Sequence, residues 1–156
     1  MPNLLPIGYE DEIVTAEELG KKSPIGYRSG VAFDYVNGDF QRDGMYKMLS
    51  CNGIESWKSW IINCIQTERY KHLAYSSNFG IELDQVFRAK SRDEAESILT
   101  REISEAIMAD PYKRTEYIED IEFDWITPDT VVVSVTVQGI EDVTVDIRAI
   151  IKGGTR

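Results

Sequence analysis

The sequence of 156 residues contains little of the side-chain chemistry that metalloproteins and redox proteins use. It has one histidine, His72, and two cysteines, Cys51 and Cys64. Two cysteines do not make a disulfide framework, so we interpret both as reduced thiols. The zinc-binding patterns Cys-x-x-Cys and His-x-x-x-His are absent, and we therefore predict no metal site.

Motifs for nucleotide cofactors and for the commonest hydrolases are also missing. Neither Gly-x-x-x-x-Gly-Lys-Ser/Thr nor Gly-x-Gly-x-x-Gly occurs, so we predict no cofactor. Gly-x-Ser-x-Gly, the commonest serine hydrolase signature, is absent as well. A glycoside hydrolase, however, needs only two carboxylates that flank a cleft. Glu68 together with Glu82 or Asp84 is therefore kept as an alternative catalytic arrangement.

The sequence has no long hydrophobic run and no export signal. No stretch of about 18 apolar residues is present, so we predict neither a transmembrane helix nor a membrane partner. The stretch from Met1 to Ile7 lacks a basic segment followed by an apolar one, so we predict no signal peptide. A chain with these features is expected to be made and used in a cytoplasm.

Basic residues are missing from two segments of a chain whose formal net charge is -10. All charged side chains from Met1 to Gly20 are acidic, and the same holds from Thr115 to Ile147. Such a surface repels phosphate backbones, so we predict no nucleic-acid partner. It favours basic protein partners, or it simply keeps the chain in solution.

The pattern along the chain predicts a single α+β domain. Residues 1–29 have three prolines and no sustained periodicity, which indicates an extended or flexible N-terminal arm. The domain covers residues 30–152, and residues 153–156 form a C-terminal tail. Near the start of the domain, Asn37-Gly38 between two strand patterns predicts an N-terminal β-hairpin with a type I′ turn. A further short strand is expected over residues 45–49.

Two main helices and a sheet are predicted to follow the hairpin. Residues 54–69 place apolar side chains at helical spacing, and a short helix is expected over residues 83–87. Ser91 and Glu94 match a capping box that begins the second main helix, which Pro111 ends near Asp110. The last third alternates with a period of two, which predicts a C-terminal three-stranded antiparallel sheet. Its edges are places where a partner strand can be added.

Glu68 lies at an unusual position in the first main helix. Continuing the helical phase places this carboxylate in the middle of the apolar arc, where it must be paired or hydrogen-bonded. Adjacent helical residues point apart, so Arg69 can join it only if the helix ends there and both side chains turn inward. Otherwise Glu68 meets a donor from elsewhere, or a frayed last turn leaves it in water. The first two alternatives predict a structural ion pair or a hydrogen-bonded carboxylate.

Three motifs are distinctive: the helix start Gly53-Ile54-Glu55, the helix end Thr67-Glu68-Arg69-Tyr70 and the loop from Tyr75-Ser76 to Phe79-Gly80. Together they resemble motifs of the XkdS-type baseplate proteins of PBSX-like prophages, part of a wider family of phage wedge proteins once labelled tail lysozymes. The similarity covers residues 33–151. The wider family has Glu-Pro-Arg where this chain has Glu68-Arg69, so the proline is missing here.

The resemblance implies a structural wedge subunit of a contractile phage tail or tail-like particle, present in several copies in a symmetric baseplate and assembled in the bacterial cytoplasm. Such a subunit joins the helical core bundle of larger wedge proteins to the first ring of sheath subunits, whose strands its sheet can receive. We predict that Glu68 and Arg69 lock the domain to a wedge partner. The aromatic residues expected to line the same core or interface are Trp57, Trp60, Tyr70 and Tyr75.

Two other classes of function remain open from the residues. One is a peptidoglycan-degrading tail lysozyme that uses Glu68 as its acid. The other is a free-standing regulatory or adaptor domain that binds a cytoplasmic partner. We predict that the protein is not an enzyme.

Overall fold

The computed structural model describes residues 26–35 and 37–153. The predicted N-terminal arm lies mostly outside these residues, as does the predicted tail beyond residue 153. Within the described part, short N-terminal strands precede three helices, and a three-stranded sheet completes the domain. This order confirms the predicted α+β class.

Four two-residue strands form the N-terminal part of the domain. The second and third make the predicted hairpin, with Phe33 opposite Phe40. The predicted type I′ turn is wrong, because of its two central residues only Gly38 has a positive φ, of 70°. The predicted strand over residues 45–49 is mostly absent, since a turn occupies residues 43–47, and after it Met48 forms an isolated bridge with Arg42. The strands are β1 (Gly30–Val31), β2 (Phe33–Asp34), β3 (Asp39–Phe40) and β4 (Ser50–Cys51).

The two long helices begin at residues that favour capping, whereas the short helix follows Leu83 without a side-chain cap. The Asn52 side chain accepts a hydrogen bond from the Glu55 backbone amide, and Ser91 accepts one from Glu94, as the capping box predicts. The Glu94 carboxylate in turn accepts a hydrogen bond from the backbone amide of Lys90, whereas the motif implies the amide of the next residue, Ser91. The helices are α1 (Gly53–Gln66), α2 (Asp84–Phe87) and α3 (Arg92–Met108).

The C-terminal sheet is an antiparallel meander of strand order β5-β6-β7. The last two strands pair in continuous register from Thr130 opposite Lys152 to Gly139 opposite Val143. The first pair is interrupted by three register shifts, so β5 is an irregular edge and β7 a regular one. The strands are β5 (Thr115–Thr127), β6 (Thr130–Gly139) and β7 (Val143–Lys152).

The core lies between the inner face of this sheet and the helices α1 and α3. Alternate residues of β6 and β7 face inward, which explains the period of two in the sequence. Both helices and the sheet contribute large side chains that are fully buried: Trp57, Ile61, Ile65, Leu99, Ile103, Ile107, Val133, Val135 and Ile151. The outer face of the sheet carries the acidic residues of β5.

Candidate partner-binding surface

The segment after α1 forms a loop whose two ends are joined by backbone hydrogen bonds. The Arg69 amide donates to the Ile81 carbonyl at 2.8 Å, and the Ile81 amide donates to the Thr67 carbonyl at 3.0 Å. Gly80 makes this closure possible, because its φ is +92° and an added Cβ would lie 2.6 Å from the Thr67 carbonyl oxygen. We call residues 70–79, which lie between these joined ends, the docking loop.

Glu68 sits just outside α1 and not on its apolar face. The helix ends at Gln66, three residues before the predicted end, and Thr67 is extended. The helical phase therefore does not apply to Glu68, and its placement in the middle of the apolar arc is wrong. Its side chain is 22% exposed and pairs with the Lys71 ammonium. The predicted ion pair at a helix end is thus present, but with a solvent-exposed lysine.

Arg69, in contrast, turns into the domain. Its guanidinium Nε donates to the Gly80 carbonyl at 3.0 Å, which fixes the side chain across the base of the docking loop. Its Nη2 lies 3.6 Å from a carboxylate oxygen of Glu102, and its Nη1 lies 3.9 Å from Glu105. Only 12% of the Arg69 side chain is exposed. The two residues predicted to act together therefore point to different surroundings.

Glu102 of α3 is the buried acid at this site, and the sequence analysis assigned it no role. Its side chain is 6% exposed. Besides Arg69, it accepts a hydrogen bond from the Glu82 backbone amide at 3.1 Å and one from Arg101 at 3.2 Å. A signal was present in the sequence, because Glu102 has the same helical spacing as the core residues Leu99, Ile103 and Ala106 of α3.

The docking loop presents apolar and aromatic side chains to solvent. Tyr70 is 70% exposed, Leu73 is fully exposed and Tyr75 is 51% exposed. His72 packs edge-on against Tyr75, which in turn stacks on Phe79. No acidic residue occurs from Arg69 to Ile81, in a chain whose net charge is -10. The loop is therefore an apolar surface with basic side chains on an acidic protein.

Of the two tryptophans of α1, Trp60 lies beneath this surface. Trp60 is partly buried and contacts Phe79 edge-on at a centroid distance of 6.0 Å. Trp57 is fully buried against Tyr27, so within this chain it belongs to the core. Of the six predicted interface residues, Tyr70 and Tyr75 are well exposed, Glu68 is partly exposed, and Arg69 supports the loop from inside.

Among the described residues, the sheet provides a second unpartnered surface at its edge strands, β5 and β7. In the part of the chain that the structure describes, no backbone group of β7 bonds to a segment other than β6. The exposed acids of β5 are Glu116, Glu119, Asp120, Glu122 and Asp124, and none of them makes an ion pair with a described residue. Five acids of one sign and the register shifts both hinder strand pairing along β5, whereas β7 has a continuous register and charges of mixed sign, Asp146, Arg148 and Lys152.

A cleft of about 320 Å³ lies between α2, the start of α3 and the β5–β6 turn. The carboxylates of the alternative catalytic arrangement, Glu68, Glu82 and Asp84, do not line it. Among residues 26–35 and 37–153, no group of three or more His, Cys, Asp or Glu side chains is placed to hold a metal ion. No described helix has the length and apolar character needed to cross a membrane.

Comparison with known proteins supports a structural role for this chain, which agrees with the two exposed surfaces. A search of curated proteins finds no match. The family model for the contractile injection system sheath initiator matches residues 29–142, which is most of the chain and includes α1, the docking loop, α3 and the first two strands of the sheet. This chain therefore belongs to the contractile injection system sheath initiator family, whose members are structural components of the tail baseplate.

Proposed function

We propose that this chain is a baseplate wedge subunit that joins the core bundle of larger wedge proteins to the first ring of sheath subunits. The observation that carries the proposal is the presence of two unpartnered surfaces of different kinds on one small domain. The docking loop offers exposed side chains, whereas the edge of β7 offers free backbone groups. A subunit that connects two partners needs two such surfaces, and membership of the sheath initiator family supports such a role in a contractile injection system.

The docking loop is the surface we assign to the wedge core. Tyr70 and Tyr75 are aromatic anchors of the kind that dominate binding energy when a partner pocket covers them, and the exposed Leu73 adds apolar surface beside them. Lys71 and His72 make an acidic rim on the partner favourable. Glu68 lies beside them, already paired with Lys71, so it contributes to the same surface.

The edge of β7 is the surface we assign to the sheath. An added strand would continue the sheet, with main-chain hydrogen bonds giving affinity and alternate side chains giving specificity. Its inward side chains would extend the row formed by Val145, Ile147 and Ala149. The partner strand should therefore alternate apolar and polar residues. The acids of β5 prevent the opposite edge from competing for that strand.

An enzymatic role has no part in this proposal. The family is structural, and the Glu68 carboxylate is engaged by Lys71 and does not line the cleft. A purified preparation should leave bacterial cell walls intact in a turbidity assay. Clearing that disappears in the Glu68→Gln variant would support the lysozyme alternative instead.

The test uses three variants that each add one acidic residue at an exposed apolar position. Leu73→Asp lies in the docking loop, Ile150→Asp on β7, and Ile126→Asp on β5 as the matched control. Each variant complements a deletion strain, and sheathed tails are counted by electron microscopy. We expect few sheathed tails with the first two variants and normal numbers with the third. Normal numbers with all three would contradict the proposal, provided that each variant is folded.

A further inference from the structure

One buried carboxylate binds both ends of the docking loop. Glu102 pairs with Arg69, the residue before the loop, and accepts a hydrogen bond from the amide of Glu82, just beyond its end. We propose that Glu102 is the positioning residue of the docking loop, holding it in the conformation that the wedge partner binds. This inference rests on the proposed function of the loop, but its structural part concerns the isolated chain.

The loop has few other anchors. Residues 70–78 are all exposed, and burial begins only at Phe79 and Gly80. Exposed aromatic contacts such as that between His72 and Tyr75 contribute little to order, because they remove little apolar surface from water. A loop with so little buried surface opens locally at a low free energy unless its base is fixed. The base is fixed by two backbone hydrogen bonds, by the Arg69–Glu102 contact and by two bonds at Gly80, whose carbonyl accepts from Arg69 Nε and whose amide donates to Cys64 Sγ.

The position of Glu102 makes it the dominant of the two acids near Arg69. Its carboxylate is almost completely buried and has further donors in the Glu82 amide and in the exposed Arg101 side chain. Glu105 is 57% exposed and lies 3.9 Å from Arg69, so its contribution is screened by water. Removing the charge at residue 102 leaves the Arg69 guanidinium inside the domain with only the Gly80 carbonyl as a close partner.

A fixed loop matters for binding because ordering a flexible segment opposes association. A surface that is already in its bound conformation avoids that loss of conformational entropy. Tyr70 also adopts a left-handed backbone, with φ of 68°, which is held only while the base of the loop is closed. Glu102 therefore acts on the partner surface without touching the partner.

The test compares amide hydrogen exchange in the isolated wild-type chain with Glu102→Gln and with the control Glu105→Gln. Glutamine keeps an acceptor for the Glu82 amide but cannot form an ion pair with Arg69. We expect exchange at Arg69 and Ile81 to accelerate about tenfold in Glu102→Gln, with a smaller change at Glu82. Exchange should change by less than about twofold in Glu105→Gln, because an exposed pair contributes little.

Core amides of β6, such as those of Val133 and Val135, report global unfolding in the same experiment. Acceleration confined to the base of the loop supports the proposal. Equal acceleration at the loop base and in β6 would show that Glu102 is only a general stabilising residue, and unchanged exchange at Arg69 would also overturn the proposal. The exchange experiment needs no partner, so its outcome is independent of the sheathed-tail count. The role of Glu102 can therefore be wrong while the proposed function is right, and the proposed function can be wrong while the role of Glu102 is right.

Discussion

The Arg114 guanidinium forms a two-pronged ion pair with the Asp110 carboxylate, with Nε–Oδ2 at 2.8 Å and Nη2–Oδ1 at 2.9 Å. Both side chains are almost completely buried. The carboxylate also accepts hydrogen bonds from the backbone amides of Tyr112 and Arg114, so it closes the turn between α3 and β5. The pair thereby fixes the turn that leads from α3 into β5.

Breaking this pair should destabilise the domain strongly. Arg114→Ala leaves the Asp110 carboxylate buried without its charged partner, and we expect a loss of about 3–5 kcal/mol in the free energy of unfolding. Urea denaturation measures the change. Lys58→Ala is the control, because it breaks the solvent-exposed pair with Glu55 and should cost at most about 1 kcal/mol. Similar values for the two variants would contradict the structural role given to Asp110 and Arg114.

Gly139 should not tolerate a side chain. An added Cβ would lie 2.2 Å from the Tyr27 hydroxyl and 2.5 Å from the Trp57 ring, in a fully packed region. Gly139→Ala should therefore lower the free energy of unfolding by about 1–3 kcal/mol, as overpacked cores do. Gly44→Ala meets nothing within 4 Å and should leave stability almost unchanged. Thermal unfolding of both variants, followed by circular dichroism, distinguishes close packing from a general effect of replacing glycine.

The Ser91 cap should contribute measurably to α3. Its hydroxyl accepts a hydrogen bond from the Glu94 amide at 3.2 Å. Ser91→Ala removes that acceptor, and the expected loss is about 1 kcal/mol in a chemical denaturation curve. Ser97→Ala, in the exposed middle of the same helix, should be neutral or slightly stabilising, since alanine has the higher helix propensity. A larger loss at residue 97 than at residue 91 would contradict the capping role.

Stability should fall in alkaline solution partly because of Cys64. Burial raises the pKa of this thiol above its ordinary value of 9.0, with the Gly80 amide and Arg69 opposing the shift. The unfolded thiol therefore ionises at a lower pH than the folded one. Its stabilising contribution is fully present below pH 9 and is lost as pH rises through the folded pKa.

Comparing wild type with Cys64→Ala isolates this contribution, because burial also raises the pKa of Tyr27 and Tyr35 in both proteins. The free energy of unfolding should decline less steeply above pH 9 in the alanine variant. Parallel declines in urea titrations at increasing pH would show that the Cys64 thiol is not responsible.

The elements with strong local signals were predictable from the sequence. The Ser91 cap, the alternation along β6 and β7 and the hairpin at Asn37-Gly38 depend on neighbours within a few residues, and all appear in the structure. The turn type at Asn37 differed because β2 ends early, at Asp34. Local patterns do not determine how far a strand extends before its turn.

The candidate site was only partly predictable. The sequence prediction continues the helical pattern past Gln66 to Glu68. In the structure the helix ends earlier, because residues 67–69 form backbone hydrogen bonds with Ile81. That pairing is a tertiary effect. The contact of Arg69 with Glu102 spans 33 positions of the sequence, and spacing alone cannot identify such a partner. An acid on the apolar stripe of α3 was visible, but the donors that satisfy it were not.

Deleting the gene and counting sheathed tails by electron microscopy tests the wedge role most directly, with complementation by the wild-type gene as the reference. We expect the deletion to yield no sheathed tails and the wild-type gene to restore them. Complementation by Glu68→Gln should restore few, because Glu68 belongs to the surface that we assign to the wedge core. Normal sheathed particles in the deletion strain would contradict the proposed role in joining the wedge to the sheath.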